Sequence, residues 1–343
     1  MKIRRLRAKE RQAWLELLDG WELMDGWRGG VFFARPSQHD PAYSDDDVWV
    51  AEEAGCLVST LQIFPRVVDV GSVAVPMGGI GSVFTREESR SEGVSSALLT
   101  RAIQDMRQRG MELSLLFTGR LSFYERLGWR SWPVARELLR PPEAGRAERN
   151  AFVVASFDAD RDLAEVAALH ARERGVRDCV ARRETSDWSA SLALAGNPVE
   201  EFAVVRARSG GPLLAYLRAA RITSALTILE HAHRDVDALA WLCAVLLGAR
   251  EPDALASAER PSVDLRGYAV LPFAADSELA AALERQGVSR QAVQDPTPML
   301  LCLDAPALAK RLGVPLDAGE ESEAFLRRVL PPERFGYWPA DRF

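Results

Sequence analysis

A chain of 343 residues is too long for one comfortable core and fits two domains of ordinary size. Its 48% hydrophobic and 27% charged residues are those of a globular protein, and a formal net charge of −6 without any basic stripe argues against a nucleic-acid partner. No apolar run follows the basic N-terminal residues and no segment is long enough to span a bilayer, so the expectation is a cytoplasmic protein with no membrane partner.

Residues 1–9 predict a short strand and Glu10 to Leu18 a helix with Trp14, Leu17 and Leu18 on one side. The stretch Trp21-Glu22-Leu23-Met24-Asp25-Gly26-Trp27-Arg28 then mixes aromatics with carboxylates. Strands at Val48 to Glu52, Cys56 to Phe64 and Val67 to Val70, with turns at Ala54-Gly55 and Gly71, predict an antiparallel meander. Val73 to Thr85 follows as the central strand. Gly78, Gly79 and Gly81 weaken it, and close approach of a ligand or another backbone is the usual compensation, with a bulge as the alternative. The polar loop Arg86 to Gly93 opens directly into an amphipathic helix, Ser95 to Arg109. First-turn N–H groups lack intrahelical partners and the helix dipole adds positive charge, so this junction suits a pyrophosphate. Gly110 stops the helix, Glu112 to Phe117 is the next strand, and Gly119 and Arg120 lead into a short helix bearing Tyr124. Trp129 to Leu139 is expected to complete this first unit.

The segment Arg90-Ser91-Glu92-Gly93-Val94-Ser95 resembles the pyrophosphate loop of the GNAT acyl-CoA transferases: Arg or Gln, two residues, Gly, one residue, then Gly or Ala. Phe123-Tyr124-Glu125-Arg126-Leu127-Gly128-Trp129 is similar to the FYxxxGW signature of the same superfamily. With Met77-Gly78-Gly79-Ile80-Gly81 ahead of them, these motifs are most similar to the enhanced-intracellular-survival (Eis) branch, in which tandem GNAT domains share one chain. The resemblance implies an α+β (mixed α/β) fold of two GNAT domains, each a twisted mixed sheet flanked by helices, and acetyl-CoA as co-substrate. It implies cofactor contacts at Val83, Phe84, Thr85, Arg90, Ser91, Gly93, Val94, Ser95, Ser96 and Gly119, and an acceptor wall carrying Glu22, Asp25 and Trp27.

Pro141-Pro142-Glu143-Ala144-Gly145-Arg146 reads as a linker. Beyond it the order of elements repeats: helix Asp160 to Arg172, strands Phe202 to Arg206, Leu213 to Arg221 and Leu226 to Glu230, then a long helix Asp235 to Leu247. Strand Val263 to Leu271, helix Glu278 to Gln286 and strand Met299 to Leu303 follow. The copy lacks the chemistry. Leu283 stands where Tyr124 stands, and His231-Ala232-His233-Arg234-Asp235 before the long helix contains no glycine. The expected division is therefore 1–140 catalytic, 141–149 linker, 150–304 a degenerate GNAT domain, and 305–343 a tail docking back on the first domain. In that tail Phe335, Tyr337, Trp338 and Phe343 are aromatics that a disordered terminus would not carry. No metal is expected. His231 and His233 lack a partner at ligand spacing, and Cys56, Cys179, Cys243 and Cys302 form no CxxC pair and read as small buried hydrophobes.

Acetyl transfer to an amine needs a base, donors for an oxyanion, and an acid for the departing thiolate. Tyr124 suits the acid, since a phenol keeps its proton at neutral pH, and backbone N–H groups near Val83 suit the oxyanion. By resemblance the carboxylate of Phe343 is the base, with Glu22 or Asp25 acting through water as runner-up, and the acceptor is a small-molecule amine. Eis-type proteins are oligomeric, so a homo-oligomer is an open expectation, although this chain lacks the residues for their sterol-carrier-like domain. The competing reading is a non-catalytic GNAT-fold binding or regulatory protein whose loop, with Glu87, Glu88 and Glu92, has abandoned CoA.

Overall fold

The computed structural model describes residues 1–22, 28–141, 151–173, 176–194, 200–222, 225–248 and 268–341. In chain order the first elements are β1 (Lys2–Arg5), α1 (Arg11–Leu18), α2 (Gly29–His39), β2 (Val48–Glu53), β3 (Cys56–Val70), β4 (Val73–Thr85), α3 (Val94–Gln108), β5 (Leu113–Phe117), α4 (Leu121–Glu125) and β6 (Arg130–Ser131). Then come β7 (Val134–Arg140), β8 (Phe152–Ser156), α5 (Ala159–Glu173), β9 (Val180–Ala181), α6 (Thr185–Leu194), β10 (Glu200–Ala207), β11 (Leu213–Ile222), β12 (Ala225–His233) and α7 (Val236–Gly248). The chain closes with β13 (Ala269–Leu271), α8 (Ser277–Arg285), β14 (Ser289–Asp295), β15 (Pro298–Cys302), α9 (Ala305–Leu312) and α10 (Ser322–Val329).

These strands form two mixed sheets. The eight-stranded one runs β1-β2-β3-β4-β5-β15-β6 with β9 added on β3, and the seven-stranded one runs β14-β7-β13-β12-β11-β10-β8. The sheets exchange strands. Trp129 to Leu139, expected to complete the first unit, divides between them: β6 stays in the first sheet and β7 pairs with β13 and β14 in the second. Met299 to Leu303, expected in the second unit, lies as β15 between β5 and β6 of the first. A strand's apolar pattern specifies that it is buried, but both sheets offer the same kind of slot, and the partner is chosen by contacts remote in sequence. The expected linker falls largely on residues 142–150, outside the described residues.

The first sheet has a helix layer on each face. Val94, Leu98, Leu99, Ala102 and Met106 of α3 pack on Trp49, Ala51, Leu61, Ile63, Ile80 and Leu116. Alternate residues of the same strands, Val48 and Val50, turn the other way onto Trp14, Leu17 and Leu18 of α1 and Phe33 of α2. The indole of Trp14 donates to Thr60 Oγ1 at 2.9 Å, so its one polar atom is satisfied. Further along that second face, α9, α10 and the tail bring Leu308, Phe325, Phe335 and Tyr337 onto Met77, Leu113 and Leu115.

Cys56 to Val70 is one strand where the sequence predicts two. Pro65 sits inside it opposite Gly78. There β3 has only β4 beside it, because β2 begins at Val48 opposite Gln62 and β9 ends at Ala181 opposite Val68, and a residue without an N–H is tolerated where one flank is open. Cys56 is exposed, unlike the three buried cysteines, because it opens β3 at the hairpin with β2.

Candidate active site

The sequence makes β4 the central strand, and three features converge on it. The first is a parting of strands. β4 and β5 run parallel and pair only through Met77–Leu113, Gly78–Ser114 and Gly79–Leu115. Beyond Gly79 they separate, so Ile80 to Thr85 have β3 on one side and an unpaired edge on the other.

The second is a bulge. The β3–β4 register shifts between Thr60 and Gln62, leaving Ser82 and Val83 as the extra length opposite Leu61. Ser82 takes a left-handed φ of 53°, which a non-glycine residue adopts at a cost. Its Oγ and the Oε1 of Gln62 are both buried with no hydrogen-bond partner among the described residues. The glycines predict an irregularity but not its position at Ser82, and nothing in the sequence singles out Gln62.

The third is the start of α3. Its N-cap is Gly93, at φ 79°, with no side-chain cap and no acidic residue in the first turn. A Cβ added at Gly93 would meet nothing within 4 Å, so the glycine is required by the left-handed backbone and not by crowding. Ser91 also has positive φ, at 68°. Glu87, Glu88, Arg90, Ser91 and Glu92 are exposed. The Arg90 Nε donates to the Thr85 carbonyl at 3.2 Å and ties the loop to the strand end. A run of hydroxyls does the same from inside: Ser95 Oγ to Thr85 Oγ1 at 2.6 Å, Thr85 Oγ1 to Ser59 Oγ at 2.7 Å, and Ser59 Oγ to the Phe84 carbonyl at 2.9 Å. Ser95 and Thr85, predicted as cofactor contacts, are thus already partnered with each other; Val94 is buried in the core and Ser96 is half-buried.

Gly78 corrects one expectation. A Cβ there would lie 2.2 Å from the sulfur of Met106, so this glycine makes room for α3, not for a ligand. Gly79 and Gly81 stand opposite Phe64 and Gln62 of β3.

Tyr124 lies in α4 with its ring edge-on to Phe123 at 4.9 Å and to Trp129 at 6.0 Å. The residue is 8% exposed, and its hydroxyl makes no hydrogen bond among the described residues. Burial pushes the phenol up to about 12, with Arg120 pulling slightly the other way. Gly119 is exposed beside the turn in which the Arg120 N–H donates to Thr118 Oγ1 at 3.0 Å. Across the sheet Phe84 stacks on Trp21 at 6.3 Å, and Trp21 leans on Phe33 of α2 at 5.5 Å. Glu22 is exposed, and its backbone forms an isolated antiparallel β-bridge with that of Arg28. Asp25, Trp27 and Phe343 lie outside the described residues.

A cavity of about 180 Å³ opens elsewhere, between β6, β15 and the start of α10, lined by Arg130, Trp132, Leu300 and Glu323. It touches none of the predicted site residues, and the Arg130–Glu323 ion pair at 2.8 Å belongs to its rim.

The fold is mixed α/β, two mixed sheets flanked by helices, with a parallel strand pair that opens beside a bulged strand and an uncapped helix start in the first, an architecture consistent with tandem GNAT domains. Residues 2–131 match the family model described as "Acetyltransferase (GNAT) domain". No curated protein matches the chain by sequence. Among solved structures, a GCN5-related N-acetyltransferase from Anabaena variabilis is similar, with TM-score 0.67 and 14% identity over 94% of this chain and 77% of that one. Eis1 from Mycobacterium abscessus aligns with TM-score 0.58 and 18% identity over 90% of this chain and 75% of that one. Saccharomyces cerevisiae N-myristoyltransferase with bound myristoyl-CoA gives TM-score 0.55 and 12% identity over 88% and 78%. At such identities the likeness is one of fold. Among the described residues no helix is long and apolar enough to cross a membrane.

Proposed function

We propose that the chain is an acyl-CoA-dependent N-acyltransferase acting on an amine, with acetyl-CoA as the simplest co-substrate. The observation that carries this reading is the parting of β4 from β5 beside the uncapped start of α3, within the segment that matches the acetyltransferase model. The site fits such a molecule. Backbone N–H groups of Val94, Ser95 and Ser96, with Arg90, suit a diphosphate, and the unpaired edge of β4 suits an extended amide-bearing arm. Bound there, acyl-CoA supplies the activated acyl group.

The remaining work falls to the chain. The Val83 N–H, re-aimed by the bulge, donates toward the thioester oxygen as charge gathers on it. Tyr124 holds a proton for the leaving sulfur: its packed ring fixes the position and its unbonded hydroxyl is free to donate. Phe343 keeps the role of base that the resemblance assigns it, with Glu22 and Asp25 as water-mediated alternatives.

Glu87, Glu88 and Glu92 favour the competing reading of a GNAT-fold protein that no longer binds CoA. All three are exposed, where charges are screened and each opposes an anion by about 1 kcal/mol or less. Thermal shift with millimolar acetyl-CoA separates the two readings: a raised melting temperature supports the transferase, and no shift supports the competitor. A panel of amines with a thiol-release assay then tests turnover.

A further inference from the structure

The two sheets open alike, but the second opening is filled. β12 and β13 run parallel and, among the described residues, pair through Leu226–Ala269 and Thr227–Val270. Past Thr227, β12 continues through Glu230 and His231 to His233 while β13 ends at Leu271, the same parting seen between β4 and β5. Into it goes the tail. Trp338 is fully buried, with its ring 5.0 Å from His231 of β12 and 4.9 Å from Phe273, which follows β13, and it shares a small core with Phe273 and Val180.

Both flanks of that tryptophan are gripped by one segment, residues 178–183, which itself pairs with β3 of the first sheet. Upstream, the Asp178 N–H donates to the Arg334 carbonyl at 2.7 Å and the Gly336 N–H donates to the Asp178 carbonyl at 2.8 Å. Arg334 pairs with the Asp178 carboxylate at 3.0 Å. The fit tolerates no side chain at Gly336, where a Cβ would lie 2.5 Å from Arg177 Cβ. Downstream, Arg183 Nε donates to Asp341 Oδ1 at 2.7 Å while its Nη2 donates to Glu230 Oε2 at 2.5 Å. Glu230 also accepts from the Tyr216 hydroxyl at 2.5 Å, with His170 and Arg218 at 3.6 and 3.7 Å. Between the grips Tyr337 packs on Phe117, at the end of β5, at 6.0 Å. A cavity of about 10 Å³, at most a single water, lies among Phe117, Phe273, Phe335, Tyr337 and Pro339, so the tail fills its bed.

We propose that the second sheet's opening, where its sister sheet takes a ligand, serves as an intramolecular receptor for the chain's own tail. Trp338 is the plug, and Arg183, braced by Glu230, is a positioning residue that latches Asp341. Through Tyr337 the captured tail braces Phe117 at the end of β5, the strand that borders the first opening, and so fixes the acceptor side of that opening. The latter part rests on the acyl-transfer reading; the capture does not.

Four variants test it: Trp338→Ala, Asp341→Asn, which keeps the shape and removes the charge, and Arg183→Met beside Arg183→Lys as a partial rescue. Trypsin cleavage after Arg334, measured on the folded chain, is expected to quicken roughly tenfold or more in Trp338→Ala and Arg183→Met, less in Asp341→Asn, and least in Arg183→Lys. Circular dichroism checks that Asp341→Asn stays folded. With the best substrate from a panel of primary amines such as tyramine and putrescine, the amine KM is expected to rise or kcat to fall in Asp341→Asn, while acetyl-CoA affinity stays at the wild-type value. Cleavage unchanged in every variant overturns the capture. Faster cleavage with an unchanged amine KM and kcat overturns the positioning role. A wild-type chain that binds no acetyl-CoA removes the acyl-transfer reading and the positioning with it, and leaves the proteolysis to decide the capture.

Discussion

Replacing Tyr124 by Phe separates chemistry from packing. The ring contacts with Phe123 and Trp129 survive, because the substitution removes only an oxygen that bonds to nothing among the described residues. Acetyl-CoA affinity and melting temperature at pH 7 should therefore stay close to wild type. Loss of the acid should lower kcat by about a hundredfold or more, the usual worth of a positioned proton donor. The hydroxyl also has an alkaline signature. Below pH 10 the folded and unfolded chains both carry the phenol proton; as pH rises from 10 to about 12 only the folded chain keeps it. Unfolding is then favoured by deprotonation, and stability falls as pH rises, by on the order of 2–3 kcal/mol for a shift of this size. Tyr124→Phe lacks that loss, so relative to wild type it should gain stability over that window in denaturant titrations. Turnover falling by less than about threefold would sink the acid role, since that lies well below the range for a proton donor. An alkaline stability profile identical to wild type would show that the phenol is not held protonated by burial.

Glu92→Arg exchanges a repelling charge for an attracting one in the exposed loop and should tighten acetyl-CoA by about tenfold at low salt in calorimetry, with the gain shrinking as salt is raised. Gly78→Ala forces a methyl against Met106 and should cost about 1–3 kcal/mol in urea unfolding with the opening beyond Gly79 left intact; no loss would mean that α3 yields readily. Gly93→Ala meets no neighbour but must hold φ at 79°, so it should cost about 1 kcal/mol and weaken acetyl-CoA binding more than it lowers stability. His231, fully buried on Trp338 with Arg177 and His233 opposing its charge and Glu230 favouring it, is depressed to about 3. Its contribution is complete above about pH 6.5 and is lost as pH falls toward 3 while the unfolded chain takes up a proton. His231→Phe should flatten that acid limb in melting curves, and an unchanged limb would rule out His231 as its source.

Much of the first opening is legible in the sequence because its determinants are local. A left-handed residue before a helix calls for glycine, and Gly93 is there; a short helix bearing Tyr124 is expected after Gly119 and Arg120, and α4 is that helix. The boundaries of β4 follow the same logic: the strand runs from Val73 to Thr85 as predicted, and the turn glycines mark its start. Gly78 shows the limit of such reading, because a glycine in a strand signals that something comes close without saying what. Here it is a methionine of the chain itself.

Composition and pattern by themselves determined that this chain builds helices and strands in a repeated order, that the first copy has a glycine-capped loop opening its long helix, and that the aromatic tail docks. Only the tertiary structure decided where. It sent β7 and β15 to each other's sheets, placed the bulge at Ser82, and set Trp338 between His231 and Phe273. Local signals specify a segment's conformation and which face it buries. The choice among several equally apolar partners is made by contacts between residues far apart in the chain, here Arg183 with Asp341 and β5 with β15, and no periodicity records those.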